Sequence, residues 1–562
     1  MAWKRAFHPK CMGANLVRCN RQKSQHIAWH PRVWLRAWAY LSVLGSLQVL
    51  AATSGPGFPS MTFTTAELFK PISTIHSPAG TSWGNGTLYR GYLVLGFDIH
   101  EDSSGFQFWD ISNPRSPKLV AQKYDFESKH LREIQGYSIT TSYGPDYVVM
   151  PSHAGIEIWD FSDIKNLKNV SALAMAPGGG AGLYNGIIFA FWQPPYIYCG
   201  GMNTGLYVVD AHDVKALKVV KQISTSTVNG KLMAGVFAVG NVLYATTTQD
   251  GEAPGAISTF DITDPANPVL MNSYKGTLMT EGGYTSYMNG NRVYAHGTSG
   301  WLQIFDVSDP YKIKRLGQAT TAAQRGGYGM FQDGFSQSGM SDTYVKYDVR
   351  GNIPVEVGRC SVPGDNDWVI SLGNMVFIGD DDGPESVGIL APHQTNPDKL
   401  GPVVNMANPK PGAVNQPLTT RVGFTFTDQI DFSSVSSSSF IVRPVGEEPL
   451  AGKYVTMAGA SVVNFTPDGP LLTNTTYEIF LPAGGLKDFA GNANPRDTVL
   501  HFSTGGTVSL SHPTIKVGTP DAVGEIRNVL GRWLTPSRSS RNQGITRRAT
   551  SGLYLRVPPE GS

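Results

Sequence analysis

Apolar and polar positions alternate along this chain in short runs, and one run recurs. Its copies read GFQFWDISNP (105–114), GIEIWDFSDI (155–164), GLYVVDAHDV (205–214), AISTFDITDP (256–265), WLQIFDVSDP (301–310) and DTYVKYDVRG (342–351). Four and two places before the shared Asp stand Phe106 and Phe108, Ile156 and Ile158, Leu206 and Val208, Ile257 and Thr259, Leu302 and Ile304, Tyr344 and Lys346. The place between them holds Gln107, Glu157, Tyr207, Ser258, Gln303 or Val345, so the period is two and the element is a strand. Just before the Asp come Trp109, Trp159, Val209, Phe260, Phe305 or Tyr347, and large apolar groups on both faces imply a strand covered on both sides. The acids themselves are Asp110, Asp160, Asp210, Asp261, Asp306 and Asp348. Each opens a turn of the form D-x-[ST]-[DN]-P or a relative of it. The carboxylate there accepts hydrogen bonds from the following amides, and the Pro ends pairing. These six are read as structural turn residues.

Successive Asp residues lie 50, 50, 51, 45 and 42 positions apart. Upstream of the copies are further strand patterns, YVVMPS (147–152), YIYCGG (196–201), VLYATT (242–247), RVYAHG (292–297) and VFIGDD (376–381). Gly-rich stretches such as IQGYSI (134–139) and EGGYTSY (281–287) precede those, and runs such as PVLMNSYKG (268–276) follow the turns. Four short strands at this period make a propeller blade. Seven units fit between Pro71 and Leu400, the last a degraded copy, VGILAPHQTNP (387–397), with His393 in the Asp place.

The pattern changes near Leu400. Segments 401–442, 462–493 and 499–505 carry alternating strands at short spacing, which predicts a β-sandwich of roughly 100 residues. The expected fold class is therefore all-β: a seven-bladed β-propeller over 71–400, then an Ig-like sandwich over 401–505. The stretch GLYVVDAHDV, with the endings DISNP and DPANP, resembles the LVIVD repeat of exported bacterial and archaeal proteins. That resemblance implies a propeller and says little about activity. WD40 blades are the near alternative, but their Gly-His signature is missing at the matching places. The phrases FTPDGPL, TTYEI and GGLKDFAGN resemble the bacterial Ig-like domain of surface-layer type. Within it Asp488, Gly491 and Asn492 suit a tight turn, with too few ligands of their own for calcium.

The flanks differ in kind. Residues 1–36 hold eight Lys or Arg and no acid, and Ala37–Ala51 is an uncharged apolar run ending in small residues. This reads as a leader over 1–52 with cleavage after Ala51 or Ala52, and Met12 offers a second start. The run is shorter than the ~20 residues a membrane span needs, and no later run is longer, so no transmembrane span is expected in the mature chain. Residues 53–70 read as a linker. Residues 506–562 become Arg-rich without a period and read as a tail of low order, with a truncated or frameshifted end as one account of the abrupt shift. A net charge of +2 gives no footprint for nucleic acid. Cys11 and Cys19 fall in the leader, and Cys199 and Cys360 stand far apart, so neither a disulfide framework nor a metal-binding CxxC is present.

Candidate chemistry collects on one face. Loops between the second and third strands of the blades bring His100, Glu101 and Asp102, then His153, Asp250, Glu252, His296, Asp380, Asp381 and Asp382. Blade-joining loops add Arg132, Glu133, Glu281, Arg325, Asp365 and Asp367. Carboxylates and imidazoles together suit a ligand surface, and a divalent metal is the one cofactor they admit. The chain has no G-x-S-x-G elbow, no Walker A sequence and no H-E-x-x-H. The expected function is an exported periplasmic, surface or extracellular binding or adhesion protein. Its propeller would recognise a protein or carbohydrate ligand, and its Ig-like domain would serve as spacer or adhesive module. Two rivals stand beside this reading: a metal-assisted hydrolase or lyase using the His- and Asp-rich face, and a passive cell-wall or surface-layer component.

Overall fold

The computed structural model describes residues 55–505 except 59–60, 100–102, 126–140, 144–146, 152–154, 176–185, 249–254, 277–281, 298–301, 320–327, 341, 363, 365–367, 381–385 and 457–460. Among the described residues there are nine four-stranded sheets and no α-helix. Seven of the sheets are propeller blades. The first blade pairs Ser82–Tyr89, Tyr92–Ile99, Ser103–Asp110 and Lys118–Asp125 in chain order, every pair antiparallel. Blades two to six repeat the order around third strands Gly155–Asp160, Leu206–Asp210, Ala256–Asp261, Leu302–Asp306 and Thr343–Asp348. The seventh takes three strands from Trp368–Leu372, Met375–Gly379 and Val387–Pro392. Its fourth is Ser73–His76, which precedes the first blade in the chain and pairs antiparallel with Val387–Pro392. This overlap closes the ring, because a strand from before the first blade completes the last one.

The repeated pattern becomes packing between blades. Phe106 of the first blade meets Trp159 of the second edge-on at 5.1 Å, and Phe161 lies 5.3 Å from Phe106 and 5.2 Å from Phe108. The polar place between the apolar columns serves the indole beside it. Trp159 Nε1 donates to Glu157 Oε2 at 2.7 Å, and Trp109 Nε1 to Gln107 Oε1 at 3.1 Å. A fully buried glutamate is thereby given a donor, and Asn169 Nδ2 at 2.9 Å is another.

The turns repeat a second device. Asp110, Asp160, Asp210, Asp261, Asp306 and Asp348 each accept, through Oδ1, the backbone N–H two residues on, at 2.7–3.0 Å. The turn so formed presents the carbonyl four places past the Asp to the preceding blade. Tyr198 Oη donates to Pro265 O at 3.0 Å and Thr259 Oγ1 to Pro310 O at 2.6 Å; Ser171 and Ser73 donate in the same way to Val214 O and Pro114 O. The D-x-[ST]-[DN]-P pattern is thus an inter-blade latch as well as a turn.

The seventh copy departs from the expected column. Met375 pairs with Pro392, and His393 N donates to Asn374 O. In the other blades that bond belongs to the residue after the Asp, such as Ile262 or Val307. His393 therefore stands one place past the Asp position, in a buried apolar column, and Pro392 takes the Asp place. Sequence spacing alone puts His393 one register too early.

The last two sheets form the Ig-like sandwich. One is ordered Val404–Asn408, Val422–Phe426, Val462–Pro467 and Gly452–Thr456; the other Ala413–Gln416, Thr498–Thr504, Thr476–Leu481 and Ile441–Pro444. Phe424, Phe440, Phe465, Tyr477 and Phe502 fill the space between them. The first sheet lies on the propeller face that carries the first-to-second strand hairpins and the Asp turns. Met406 and Val462 join the hydrophobic cluster of blades three to five. Backbones approach closely there: a Cβ on Gly423 would sit 2.2 Å from Gly240 N, so only glycine lets these chains meet.

Candidate functional site

The two propeller faces are unequal. On the hairpin face the Ig-like domain makes a dense set of polar contacts. Asn464 Oδ1 accepts from Gly240 N at 2.8 Å, and its Nδ2 donates to Ala238 O at 2.8 Å. Asn405 Nδ2 donates to Asn289 Oδ1 at 2.6 Å, while Asn405 Oδ1 and Thr425 Oγ1 both accept from Gly290 N, at 3.1 and 3.0 Å. Arg421 donates to Ile262 O, and Thr419 to Thr263 O. Apart from Asn289 Oδ1, the propeller partners are backbone groups of tight hairpins and turns, and burial obliges them to find partners.

On the opposite face the second strands end and the third strands begin. Of the residues expected to act there, His100, Glu101, Asp102, His153, Asp250, Glu252, Asp381 and Asp382 lie outside the described residues, as do Arg132, Glu133, Glu281, Arg325, Asp365 and Asp367. His296 and Asp380 are described.

His296 ends the second strand of blade five, paired with Thr285 and Leu302. It is 1% exposed, and neither ring nitrogen has a hydrogen-bond partner among the described residues. Burial pushes its pKa down to about 3, so the ring is neutral at physiological pH. Gly329 makes room for it, since a Cβ there would lie 2.3 Å from Nε2.

Asp380, on blade seven, is also buried. It packs against Gly364, whose φ of +90° and closeness to the carboxylate both demand glycine. His296 and Asp380 share no group of three metal-capable side chains. Among the described residues the one such group is Asp333, Asp398 and Asp428, on the Ig-like side of the propeller.

That group escapes sequence reasoning because its members come from three separate segments. Asp333 is in the hairpin turn of blade six, Asp398 in the stretch leading out of blade seven, and Asp428 just past the strand Val422–Phe426. The Asp488 turn lies close enough to act on them electrostatically. Burial and the neighbouring carboxylates push the Asp428 carboxyl well above the usual range, and burial first of all raises Asp488 to about 6.

Lys346 and His393 form a second buried polar pair, Nζ to Nδ1 at 3.0 Å, with His393 Nε2 2.9 Å from Gly373 O. Burial brings the lysine down to about 8. Cys199 and Cys360 are both buried free thiols with pKa values raised by burial. Among the described residues no helix is long and apolar enough to cross a membrane.

No curated protein sequence is similar to this chain. Among solved structures it is similar to the computationally designed Ika8 protein, at 12% identity over 60% of this chain and 100% of that one with a TM-score of 0.39. It is similar to a chain of the mitotic checkpoint complex, at 10% identity over 62% and 99% with a TM-score of 0.42. It is also similar to the β-propeller domain of Myceliophteria thermophila Cps50 (Swd1), at 13% identity over 57% and 99% with a TM-score of 0.41. By its own sheet order the chain is a β-propeller of seven four-stranded sheets, and it carries a segment, residues 398–504, that matches the family described as bacterial Ig-like domain.

Proposed function

We propose that this is an exported bacterial protein of the periplasm, cell surface or extracellular space that works by binding. The propeller is its recognition platform, and the Ig-like domain is a brace and spacer. The observation that carries the reading is the occupied face. The Ig-like domain covers the side of the propeller built from repeated turns, and the loops that differ from blade to blade emerge on the other side. Repetition marks positions that serve the ring. Loops that depart from the repeat are where a ligand of protein or carbohydrate is read, because such loops hang from a rigid scaffold and vary without cost to it. The match of residues 398–504 to a bacterial Ig-like domain supports a surface setting.

The test is fractionation of cells producing the full chain, followed by binding of the purified protein to isolated cell envelopes. The protein is expected in the envelope or medium. Exchange of the loops at 100–102 and 152–154 for Gly-Ser is expected to abolish binding while leaving the melting temperature unchanged. A protein confined to the cytosol, or envelope binding indifferent to both loops, would refute the reading.

A further inference from the structure

The hairpin turn of blade six, the stretch leaving blade seven and two turns of the Ig-like domain bring four aspartates together. Asp333, at φ +48°, donates its N–H to Thr427 O at 2.9 Å. Asp398 Oδ2 accepts from Gln332 Nε2 at 3.0 Å, and its Oδ1 accepts from Leu400 N at 3.0 Å. Asp428 Oδ1 accepts from Gln429 N at 2.6 Å. One carboxylate oxygen from each of these three lies within 4.8 Å of the others. Asp488 stands behind them with both oxygens engaged by Asn492, at 2.8 and 2.9 Å, and Asn492 Nδ2 reaches on to Asp398 O at 3.2 Å.

A second observation shows that this is more than an acidic surface. Asp428 is 2% exposed, and its Oδ2 is buried with no hydrogen-bond donor among the described residues. Asp398 and Asp488 are 5% and 2% exposed, and no Lys or Arg pairs with them or with Asp428 among the described residues. Lys346 acts on Asp333 and is engaged with His393. Like charges held this close in a dry site are strongly unfavourable unless a cation or a proton neutralises them. The donor set is oxygen only, which selects a hard cation over zinc or copper. Oxygens that all lie within 4.8 Å of one another are close enough to share one ion, and calcium at about 2.4 Å accepts an irregular oxygen set where magnesium demands near-octahedral geometry at about 2.1 Å.

We propose that one calcium ion binds between Asp333, Asp398 and Asp428, with Asp428 Oδ2 as a direct ligand and Asp488–Asn492 holding the outer shell. The ion ties three segments, propeller hairpin, connecting stretch and Ig-like strand end, into one joint. It sets the angle at which the Ig-like domain leaves the propeller. Affinity in the submillimolar range suffices in calcium-rich surroundings outside the cell. The inference does not rest on the binding role proposed above.

The test uses the full chain, stripped with EDTA and titrated with calcium chloride by calorimetry and thermal melting. We expect one ion per chain and a rise in melting temperature of about 3 °C at a roughly hundredfold excess over Kd, with magnesium giving less. Asp428→Asn keeps the volume and removes a charge and a ligand. In EDTA it should melt no lower than the parent, and it should lose the calcium-dependent rise. Asp309→Asn, in a remote exposed turn, should keep that rise. Absence of binding at about 10 mM calcium, or a full calcium response in Asp428→Asn, overturns the proposal and leaves the carboxylates sharing protons instead.

Discussion

Asn464 of the Ig-like domain accepts the backbone N–H of Gly240 at 2.8 Å and donates to the carbonyl of Ala238 at 2.8 Å, so one buried amide completes the hairpin of the fourth blade. Asn464→Ala should leave both backbone groups buried and unpaired. Each orphaned group costs about 1–3 kcal/mol. Chemical denaturation of the full chain should show a loss of about 2–6 kcal/mol. A change below about 0.5 kcal/mol would mean that water replaces the side chain at the joint and that the domains are not rigidly docked.

The turn acids should behave as caps. Asp306 holds the N–H of Ser308, and its turn presents Pro310 O to Thr259 of the preceding blade. Asp306→Ala is expected to cost about 1 kcal/mol, and Asp306→Asn, which retains the acceptor oxygen, a few tenths. Equal losses in the two variants would point to charge rather than to the hydrogen bond.

Ring closure is open to a similar measurement. Ile75, on the strand that completes blade seven from the N-terminal side, is 1% exposed and belongs to the core cluster that includes Trp83 and Trp368. Ile75→Ala should cost about 3 kcal/mol, as for a core residue inside a blade. A cost below about 1 kcal/mol would show the strand to be loosely attached.

Acid sensitivity should have a contribution from His296. Its folded pKa is depressed to about 3 by burial, against about 6.5 when unfolded. Between these values the unfolded chain binds the extra proton. The stabilisation is therefore complete above pH 6.5 and is lost as pH falls toward 3, by up to about 1.4 kcal/mol per unit. His393, also held down by burial, acts in the same direction. Asp488, raised to about 6, acts oppositely. Comparison with His296→Leu isolates the first effect: parent and variant should run parallel above pH 7 and diverge below 6, the parent falling faster. Parallel curves down to pH 4 would contradict a buried neutral imidazole.

Much of the propeller was legible because its information is local and repeated. Alternation at Phe106, Gln107 and Phe108 marks a strand, and recurrence of the Asp turn every 42–51 residues marks a blade, whatever the blades do to one another. Sequence spacing sets His393 one column early because register is decided by the pairing of Pro392 with Met375, and a degraded copy no longer advertises it. The loop residues His296 and Asp380 were legible as polar ends of strands. Their burial against Gly329 and Gly364 was not, since it comes from other segments of the chain.

The sequence by itself determined the strands, the seven-fold repeat, the turn chemistry and the change of domain near Leu400. Those follow from side-chain period and backbone preference within a few residues. Tertiary structure alone decided that Ser73–His76 closes the ring and that the Ig-like domain seals the turn-bearing face. It alone placed Asp333, Asp398 and Asp428 side by side. These three lie in separate segments, and no local spacing encodes their meeting. They come together because the hairpins of the propeller leave backbone groups that must be paired, and the Ig-like sheet, docking to pair them, carries its own carboxylates into the joint.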